Sequence, residues 1–556
     1  MGLRLTKGKL MKTAGLFRVC TVTLALLGAN LVAAPSFAQE QVSYAQGKAA
    51  YASKDYAAAY KIFKTMADQG DASAQNALGV FYKRGIGVTA NLAEAIKWFQ
   101  LAVKQGDAKA QSNLGGMYLL GEGVTKDVTE AARLIRLAAD QGDAEAQANL
   151  GVLYRDAEGV KQDYTEAAKW FRLAADQGYD NAQLNLGSLY WNGLGVPKDI
   201  SLAIQWYRKA AEQGLVLAQV ELGNDYSSGR HVTQDYAEAL KWYRLAAAQG
   251  SAEAEHRLAV HYYSGWGVAK NLGEAVKLTQ SAAQKGFAKA QYNLGAMYEH
   301  GEGIAQDDVQ AVKWYRLAAE QGDSGALRNL GGMYEMGHGV PKDDVQAAKW
   351  YEKAAEAGDA TAQNKLGVFY SQGRGIKQDD VQALKWLKLA AAQGNVEAQS
   401  NLGVIYENGY GVPPDVAEAI KWYKLAAEHR HITAYNRLGD IFNNGATGIK
   451  QDYTEAHKWY RLAAEQGDAS AQQMLGAHYL KGIGVAVDAT EALKWEKLAA
   501  AQGFPSAEND LGYMYLNGVG VPQDRAEAMK WLTLAAEHGN ERAQKTLAQL
   551  KEHGAN

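Results

Sequence analysis

Among the side chains able to do chemistry, the 11 histidines are scattered along the chain. Only His429-Arg430-His431 and the pair His256 and His261 come close together, and neither set has the spacing that puts ligands on one helical face. Zinc and similar ions take three or four convergent ligands, so the sequence assigns no metal site. Cys20 is the only cysteine, and no thiol beyond it is available as nucleophile, metal ligand or disulfide partner. No Gly-x-Gly-x-x-Gly follows a strand pattern, and no Gly-Lys-Ser/Thr phosphate loop is present. Carboxylates are abundant but recur as Asp-x-x-Glu, at Asp127/Glu130, Asp163/Glu166, Asp235/Glu238, Asp415/Glu418, Asp452/Glu455 and Asp524/Glu527. That spacing serves helix capping, not paired acid–base work. The sequence therefore assigns no catalytic residue and no cofactor, and reads as non-enzymatic.

One aromatic row remains. Tryptophan recurs at Trp98, Trp170, Trp206, Trp242, Trp314, Trp350, Trp386, Trp422, Trp459, Trp495 and Trp531, with Leu134 and Leu278 in the two missing places. Such a row invites a carbohydrate-binding reading. Its constant phase beside Ala-Ala pairs favours packing, so these tryptophans are expected to be structural.

The elements that position these residues follow a beat set by Leu-Gly. The leucine stands at Leu78, Leu114, Leu150, Leu186 and Leu222, at Leu258 before Ala259, and then from Leu294 to Leu547. Every interval is 36 residues except one of 37, where Asn444-Gly445-Ala446-Thr447-Gly448-Ile449 carries one extra residue. A regular period of this length marks a stacked repeat architecture.

Residues 143–178 show the grammar of one unit. Asp143 is a good N-cap, and Ala144, Gln147, Leu150, Gly151 and Tyr154 follow at helical spacing, which predicts a first helix, helix A. The loop at Glu158-Gly159-Val160 reads Gly-x-Gly-Val in most other units, and glycine there allows the positive φ that a tight turn needs. Asp163 and Glu166 then open a second helix, helix B, as an acidic capping box. Ala167, Trp170, Phe171, Ala174 and Ala175 lie on one face of it, and Gln177-Gly178 ends it. Two short helices cannot bury their apolar stripes alone, so neighbouring units must stack.

This pattern resembles the Sel1-like repeat, a relative of the tetratricopeptide repeat with a longer interhelical loop. Ala182, Leu186-Gly187, Tyr190, Gly193-Leu194-Gly195-Val196, Asp199, Ala203, Trp206-Tyr207, Ala210-Ala211 and Gln213-Gly214 carry the resemblance. It extends over about residues 41–552, and departs at Ala259, Leu134, Leu278 and His231. The resemblance implies an all-α, right-handed superhelical solenoid of about fourteen helix pairs, acting as an adaptor. The expected division is a signal peptide at 1–38, a first tetratricopeptide-like pair at 39–70, thirteen repeats at 71–540, and a capping helix and tail at 541–556.

The amino terminus supports export. Arg4, Lys7, Lys9, Lys12 and Arg18 precede an apolar stretch from Val19 to Ala34, and Ser36-Phe37-Ala38 offers a cleavage site before Gln39. Met11 is an alternative start. The expected product is periplasmic or secreted, with no integral membrane segment after cleavage. Losing those five cations would leave 53 basic residues against 61 acidic, a net of −8, which disfavours nucleic acid as partner.

In tetratricopeptide-like solenoids helix A lines the concave wall. Counting Leu-Gly as the seventh and eighth positions, the second, fifth, ninth and twelfth are then expected to face a partner, and these are the positions that vary here. The candidate partner-binding residues are Asn181, Trp191, Asn224, His256, Tyr263, Tyr292 and Glu299. Trp and Tyr are the commonest interface anchors. The expected function is an exported scaffold that binds proteins of the cell envelope. The alternative is binding of peptidoglycan or exopolysaccharide, or control of a cell-wall enzyme. A cysteine-rich branch of the family resembles penicillin-binding proteins with β-lactamase activity, but its members carry a disulfide in each repeat, which this chain lacks.

Overall fold

The computed structural model describes residues 43–552, so the expected signal peptide lies outside the described residues. The described residues hold 29 α-helices and one isolated bridge, Ala446 to Ile449, and no strand. They form fourteen A/B pairs, from α1 (Tyr44–Ala52) with α2 (Tyr56–Asp68) to α27 (Pro505–Asn517) with α28 (Arg525–Glu537), followed by the single α29 (Glu541–Glu552). The chain is an all-α solenoid of helix-turn-helix repeats. Its helices fall into two compact units, one ending at Leu278 and one beginning at Thr279.

The pair α9 (Asp180–Asn192) and α10 (Ile200–Glu212) shows why these residues fold this way. Gly193 ends α9 in the left-handed region, φ +68°, and returns its N–H to the Leu189 carbonyl. The Asp199 N–H closes the loop onto the Tyr190 carbonyl at 3.0 Å, and the Asp199 carboxylate accepts from the Leu202 N–H to start α10. Ala203, Trp206, Ala210 and Ala211 are then buried between layers. Each alanine gives up side-chain contact area so that backbones can approach, and the indoles fill what remains.

Two sets of glycines fix how closely the layers meet. The first is the helix A glycine of Leu-Gly. A Cβ on Gly187 would stand 2.7 Å from the Tyr207 ring, and one on Gly403 2.3 Å from the Tyr423 ring. The aromatic at the eighth position of helix B therefore lies in a notch that only glycine leaves open. The second set is the latter glycine of the Gly-x-Gly-Val loop, at positive φ. A Cβ on Gly195 (φ +69°) would fall 2.1 Å from the backbone of Tyr164, the first residue of helix B in the preceding repeat. Loop and preceding repeat touch main chain to main chain, so this glycine sets the stacking distance.

The departures are accommodated locally. Ala446 and Ile449 exchange hydrogen bonds of 3.0 and 2.8 Å, turning the one extra residue into a tight bridge. His231, where other loops have glycine, lies edge-on to Trp191 with ring centroids 4.4 Å apart, so two residues that break the pattern pack on each other. In the first pair Ser53-Lys54-Asp55 replaces the usual seven-residue loop, with Lys54 at φ +64°.

One expectation needs correction. Asp163 does cap its helix, accepting from Thr165 and Glu166 N–H groups, but Glu166 does not reach back. Its carboxylate accepts from the Trp170 indole N–H at 3.2 Å and pairs with Lys169. The reciprocal capping box forms at Ser43 and Gln46 instead. The tryptophans divide as well. Trp98, Trp170, Trp206, Trp242 and Trp495 are buried, whereas Trp314, Trp350, Trp386, Trp422, Trp459 and Trp531 are half-buried.

Gly195→Ala is expected to lower local stability by roughly 1–3 kcal/mol, through overpacking added to positive φ. Gly178→Ala, at φ +87° with open space around it, carries only the conformational part, about 1–2 kcal/mol. Hydrogen exchange in α8 (Tyr164–Asp176) and α9 measures both, and equal effects would contradict the close contact.

Candidate functional site

The helix A face is built by side chains that begin on helix B. Where the eighth position of helix B is tyrosine, the ring passes over the notch glycine and its hydroxyl reaches the variable positions of helix A. Tyr243 donates to Asn224 Oδ1 at 2.9 Å, Tyr315 to Glu299 Oε2 at 2.5 Å, and Tyr351 to Glu335 Oε2 at 2.7 Å. Tyr423 donates to Glu407 at 2.6 Å and Tyr460 to Asp440 at 2.8 Å. Burial, and then the carboxylate at the hydroxyl, hold Tyr315, Tyr351, Tyr423 and Tyr460 well above the ordinary phenol range. These tyrosines stay neutral donors, and each acceptor is a charged or polar group held in place from the core.

Glu335 gathers the densest network. It accepts from the Tyr351 hydroxyl, from Lys365 Nζ at 3.2 Å and from Arg374 Nη1 at 3.1 Å, while Arg374 also binds Asp344 at 2.9 Å. Burial alone would raise the Glu335 carboxyl, but the Tyr351 hydroxyl, Lys365 and Arg374 together hold it below its usual range. Pairs held this rigidly present a fixed charge pattern to whatever approaches.

The candidate residues sit as follows. Asn181 is half-buried, with its side chain on Asp180 at 3.0 Å and its carbonyl accepting from Asn185. Asn224 and Glu299 are the hydroxyl acceptors just described. Trp191 is half-buried and tilts against Tyr207 at 6.2 Å in addition to His231. Tyr263 is half-buried with Lys270 Nζ 5.5 Å from its ring centre, and Tyr292 lies 5.8 Å from the Tyr315 ring. Trp191 and Tyr263 belong to the first unit and Tyr292 to the second. His256 differs from the expectation, being 5 % exposed. The fifth position is not a surface position in every repeat: Val220, at the same place, packs in one cluster with Ala254 of the next helix A.

A second device was not anticipated. The fourth residue of helix A and the residue that ends helix B form a relay between layers. Gln183 donates to the Ala175 carbonyl of the preceding repeat at 3.2 Å and accepts from Gln213 of its own at 2.8 Å. Gln147 with Gln177 and Gln363 with Gln393 repeat it. Some exchanges at these places are paired, whereas Gln399 with His429 and Tyr435 with Gln466 differ on one side only. Leu327 faces a helix ended by Ala357, and Glu508, 2 % exposed, accepts from His538 at 2.9 Å.

Some groups resemble catalytic parts. The carbonyl of Trp266 lies 2.9 Å from His261 Nδ1 and can only accept, so Nδ1 carries the proton and Nε2 accepts from the Ser227 hydroxyl at 3.0 Å. Sequence spacing gave no sign of this serine–histidine pair. It lies beneath the rings of Tyr236 and Trp266, which stack 5.9 Å apart, and His261 is 2 % exposed. Burial depresses its basicity, and its bonds tie loop to core. Asp225 is likewise buried and pushed up to about 7, by burial and then by Glu221. Among the described residues no cluster of His, Cys, Asp and Glu has the arrangement of a metal site, and no helix is long and apolar enough to cross a membrane.

Repeats near the carboxyl terminus bury more ionisable groups. His457 and His478 stack 5.9 Å apart; burial lowers both, and burial with His457 brings His478 to about 4. Glu496 takes the helix B position where most other repeats have Tyr, Phe or Leu, against the Gly476 notch, and neither carboxylate oxygen has a hydrogen-bond partner among the described residues. Burial, and then Asp510, push it up to about 10, with Lys481 opposing.

A family model described as Sel1 repeat matches fourteen contiguous segments, from 36–71 to 505–540, all of 36 residues except 432–468. Among solved structures, the chain is similar to a protective antigen present in uropathogenic Escherichia coli strains that displays an SLR fold. Identity is 33 %, with 82 % of this chain and 97 % of that one covered and a TM-score of 0.62. A Sel1 repeat protein from Oxalobacter formigenes is 33 % identical over 44 % of this chain and 96 % of its own, with a TM-score of 0.41. A sel1 repeat protein from Klebsiella pneumoniae is 23 % identical over 36 % and 98 %, with a TM-score of 0.26. No curated protein matches.

The Glu496 carboxyl gives a pH dependence of definite sign. Its folded pKa lies above the ordinary 4.5, so the stability tied to its proton is full below 4.5 and is lost as pH rises through about 10. Glu496→Leu, the residue that fills this place at Leu387 and Leu532, is expected to stabilise the carboxyl-terminal repeats at pH 8 by roughly 1–4 kcal/mol. The gain should shrink at pH 5. Urea unfolding at the two values checks it; an equal gain at both would place the cost in packing alone.

Proposed function

Since the chain belongs to the Sel1 repeat family, we propose that it is an exported scaffold that binds protein partners on the helix A face of its stacked repeats. Repeats of this kind form scaffolds that bind proteins, and scaffolds of this family are in general non-catalytic. What carries the choice of face is the tyrosine–acceptor geometry. Glu299, Glu335, Glu407, Asp440 and Asn224 are held in fixed positions by hydroxyls anchored in the core. A preorganised polar surface loses little conformational entropy on binding, which is what a partner-binding wall needs. The bulk of each unit is invariant packing, so the variable helix A positions are where specificity can reside.

Export rests on the cationic and apolar character of residues 1–38 and on the Ser36-Phe37-Ala38 site. The likeness to a protective antigen supports it as well. A second reading has one observation in its favour: Trp266 is 43 % exposed and stacked parallel to Tyr236, interplanar angle 8°, the form of a platform for a sugar ring. In that reading the ligand is a glycan of the envelope.

Photo-crosslinking in the native cells separates these. A benzophenone side chain placed at Ser188 or Asn224, on helix A, is expected to capture defined proteins from the envelope fraction. The same group at Arg244, on helix B, should capture few. Capture from Arg244 alone would overturn the choice of face. Loss of sedimentation with peptidoglycan in Trp266→Ala, with no protein captured, would favour the glycan reading.

A further inference from the structure

Three consecutive helices B depart from the rest in the same way. In most repeats a glutamate at the third position of helix B pairs with a cation at the sixth: Glu166 with Lys169, Glu238 with Lys241, Glu418 with Lys421 and Glu491 with Lys494 are examples. In α16 (Asp308–Glu320), α18 (Asp344–Glu356) and α20 (Asp380–Ala392) that glutamate is Gln310, Gln346 or Gln382. Their lysines, Lys313, Lys349 and Lys385, are exposed, and among the described residues none of the three has an ion pair; Lys313 and Lys385 lie 5.6 and 5.0 Å from the ring centres of Trp314 and Trp386. The carboxylate has moved to the first helical position, where Asp344 is taken by Arg374. The second position changes in the same three helices. It is Ala, Thr, Ser or Gly in the other repeats, as at Thr165, Ala237 and Ala417, but Val309, Val345 and Val381 here, 62, 48 and 63 % exposed.

Neither change serves the fold. Asp307, Asp343 and Asp379 cap these helices as other aspartates do, and the buried Ala311, Ala347 and Ala383 are those of every repeat. A valine four residues before a lysine lies on the same helical face. Each of the three layers thus shows solvent one apolar side chain beside one cation that lacks the carboxylate partner of its neighbours. We propose that this strip is a second docking surface, which takes an acidic, apolar-containing polypeptide segment of a partner protein. The partner's carboxylates would stand where the flanking repeats keep their own glutamates. The three valines select the class of partner: a sugar or phosphate polyanion would answer the lysines and leave the valines in water.

The test is selection of random dodecapeptides on the immobilised full chain, repeated on two triple variants. Q310E/Q346E/Q382E restores the glutamates of neighbouring repeats, so its fold should hold, as circular dichroism will check. V309T/V345T/V381T installs the threonine found at Thr129 and Thr165. Peptides mixing Asp or Glu with Val, Leu or Ile should be enriched on the parent chain by about tenfold over either variant, the size expected when three exposed ion pairs, or three small apolar contacts, are lost. Enrichment without acidic bias, or equal enrichment on the glutamate variant, would overturn the proposal. So would capture that ignores the valine variant and is displaced by a soluble polyuronate, which would assign the strip to a sugar polyanion.

Discussion

The rest of the structure depends on the approach of a helix B side chain, an aromatic ring in nine of the fourteen pairs, to a glycine on helix A. With a ring carbon 2.3 to 2.7 Å from where a Cβ would be, no other residue fits the helix A position without a shift of the layer. That contact fixes the phase of the two helices, and the loop glycine against the preceding helix B fixes the distance between repeats. Together they explain why the chain tolerates wide variation at the second, fifth, ninth and twelfth positions of helix A. Most of those side chains do not decide how layers meet; the buried fifth positions at Val220 and His256 are exceptions. The same contact also makes the surface. Because the tyrosine is longer than the notch, its hydroxyl emerges on the helix A face and organises the acidic groups there.

Several of the breaks in the pattern come in coupled sets. Trp191 goes with His231, Leu327 with Ala357, Glu508 with His538, and the Gln-Val-Lys change runs through three layers at once. The buried ionisable groups of the carboxyl-terminal repeats pull in opposite directions. His457 and His478, held below their ordinary range, weaken the fold as pH falls below 6.5, while Glu496 weakens it as pH rises above 4.5. The stack is therefore not uniform, and its carboxyl-terminal repeats respond to both acid and base.

Much of this was legible in the residues. The Leu-Gly beat gave the repeat length, the fourteen pairs and the terminal helix, because period and cap chemistry are local properties. The tryptophan row reads as packing from its phase, and its members divide between buried and half-buried positions. The hydroxyl–acceptor bonds were not seen, though a signal existed. Glu299, Glu335 and Glu407 each stand sixteen residues before a tyrosine, whereas the repeats with Phe171, Leu387 or Leu532 at that place have Arg155, Ser371 or Leu516 at the twelfth position. The glutamine relay had a similar trace, thirty residues apart. The Ser227–His261 pair and the burial of His256 had none, since both depend on how one layer covers the next. Burial at the fifth position is a tertiary outcome that spacing alone does not carry.

The central claim, that the glycine notch sets the register, can be measured directly. The one repeat with Ala259 in place of the glycine has Thr279, not an aromatic, at the corresponding helix B position. Copying that pair into another layer, as Gly403→Ala and Tyr423→Thr singly and together, makes a double-mutant cycle read by hydrogen exchange in α21 (Val396–Asn408) and α22 (Val416–Glu428). The account predicts that Gly403→Ala alone is strongly destabilising, and that Tyr423→Thr removes most of its cost, a coupling of about 1–3 kcal/mol. Costs that simply add would contradict it.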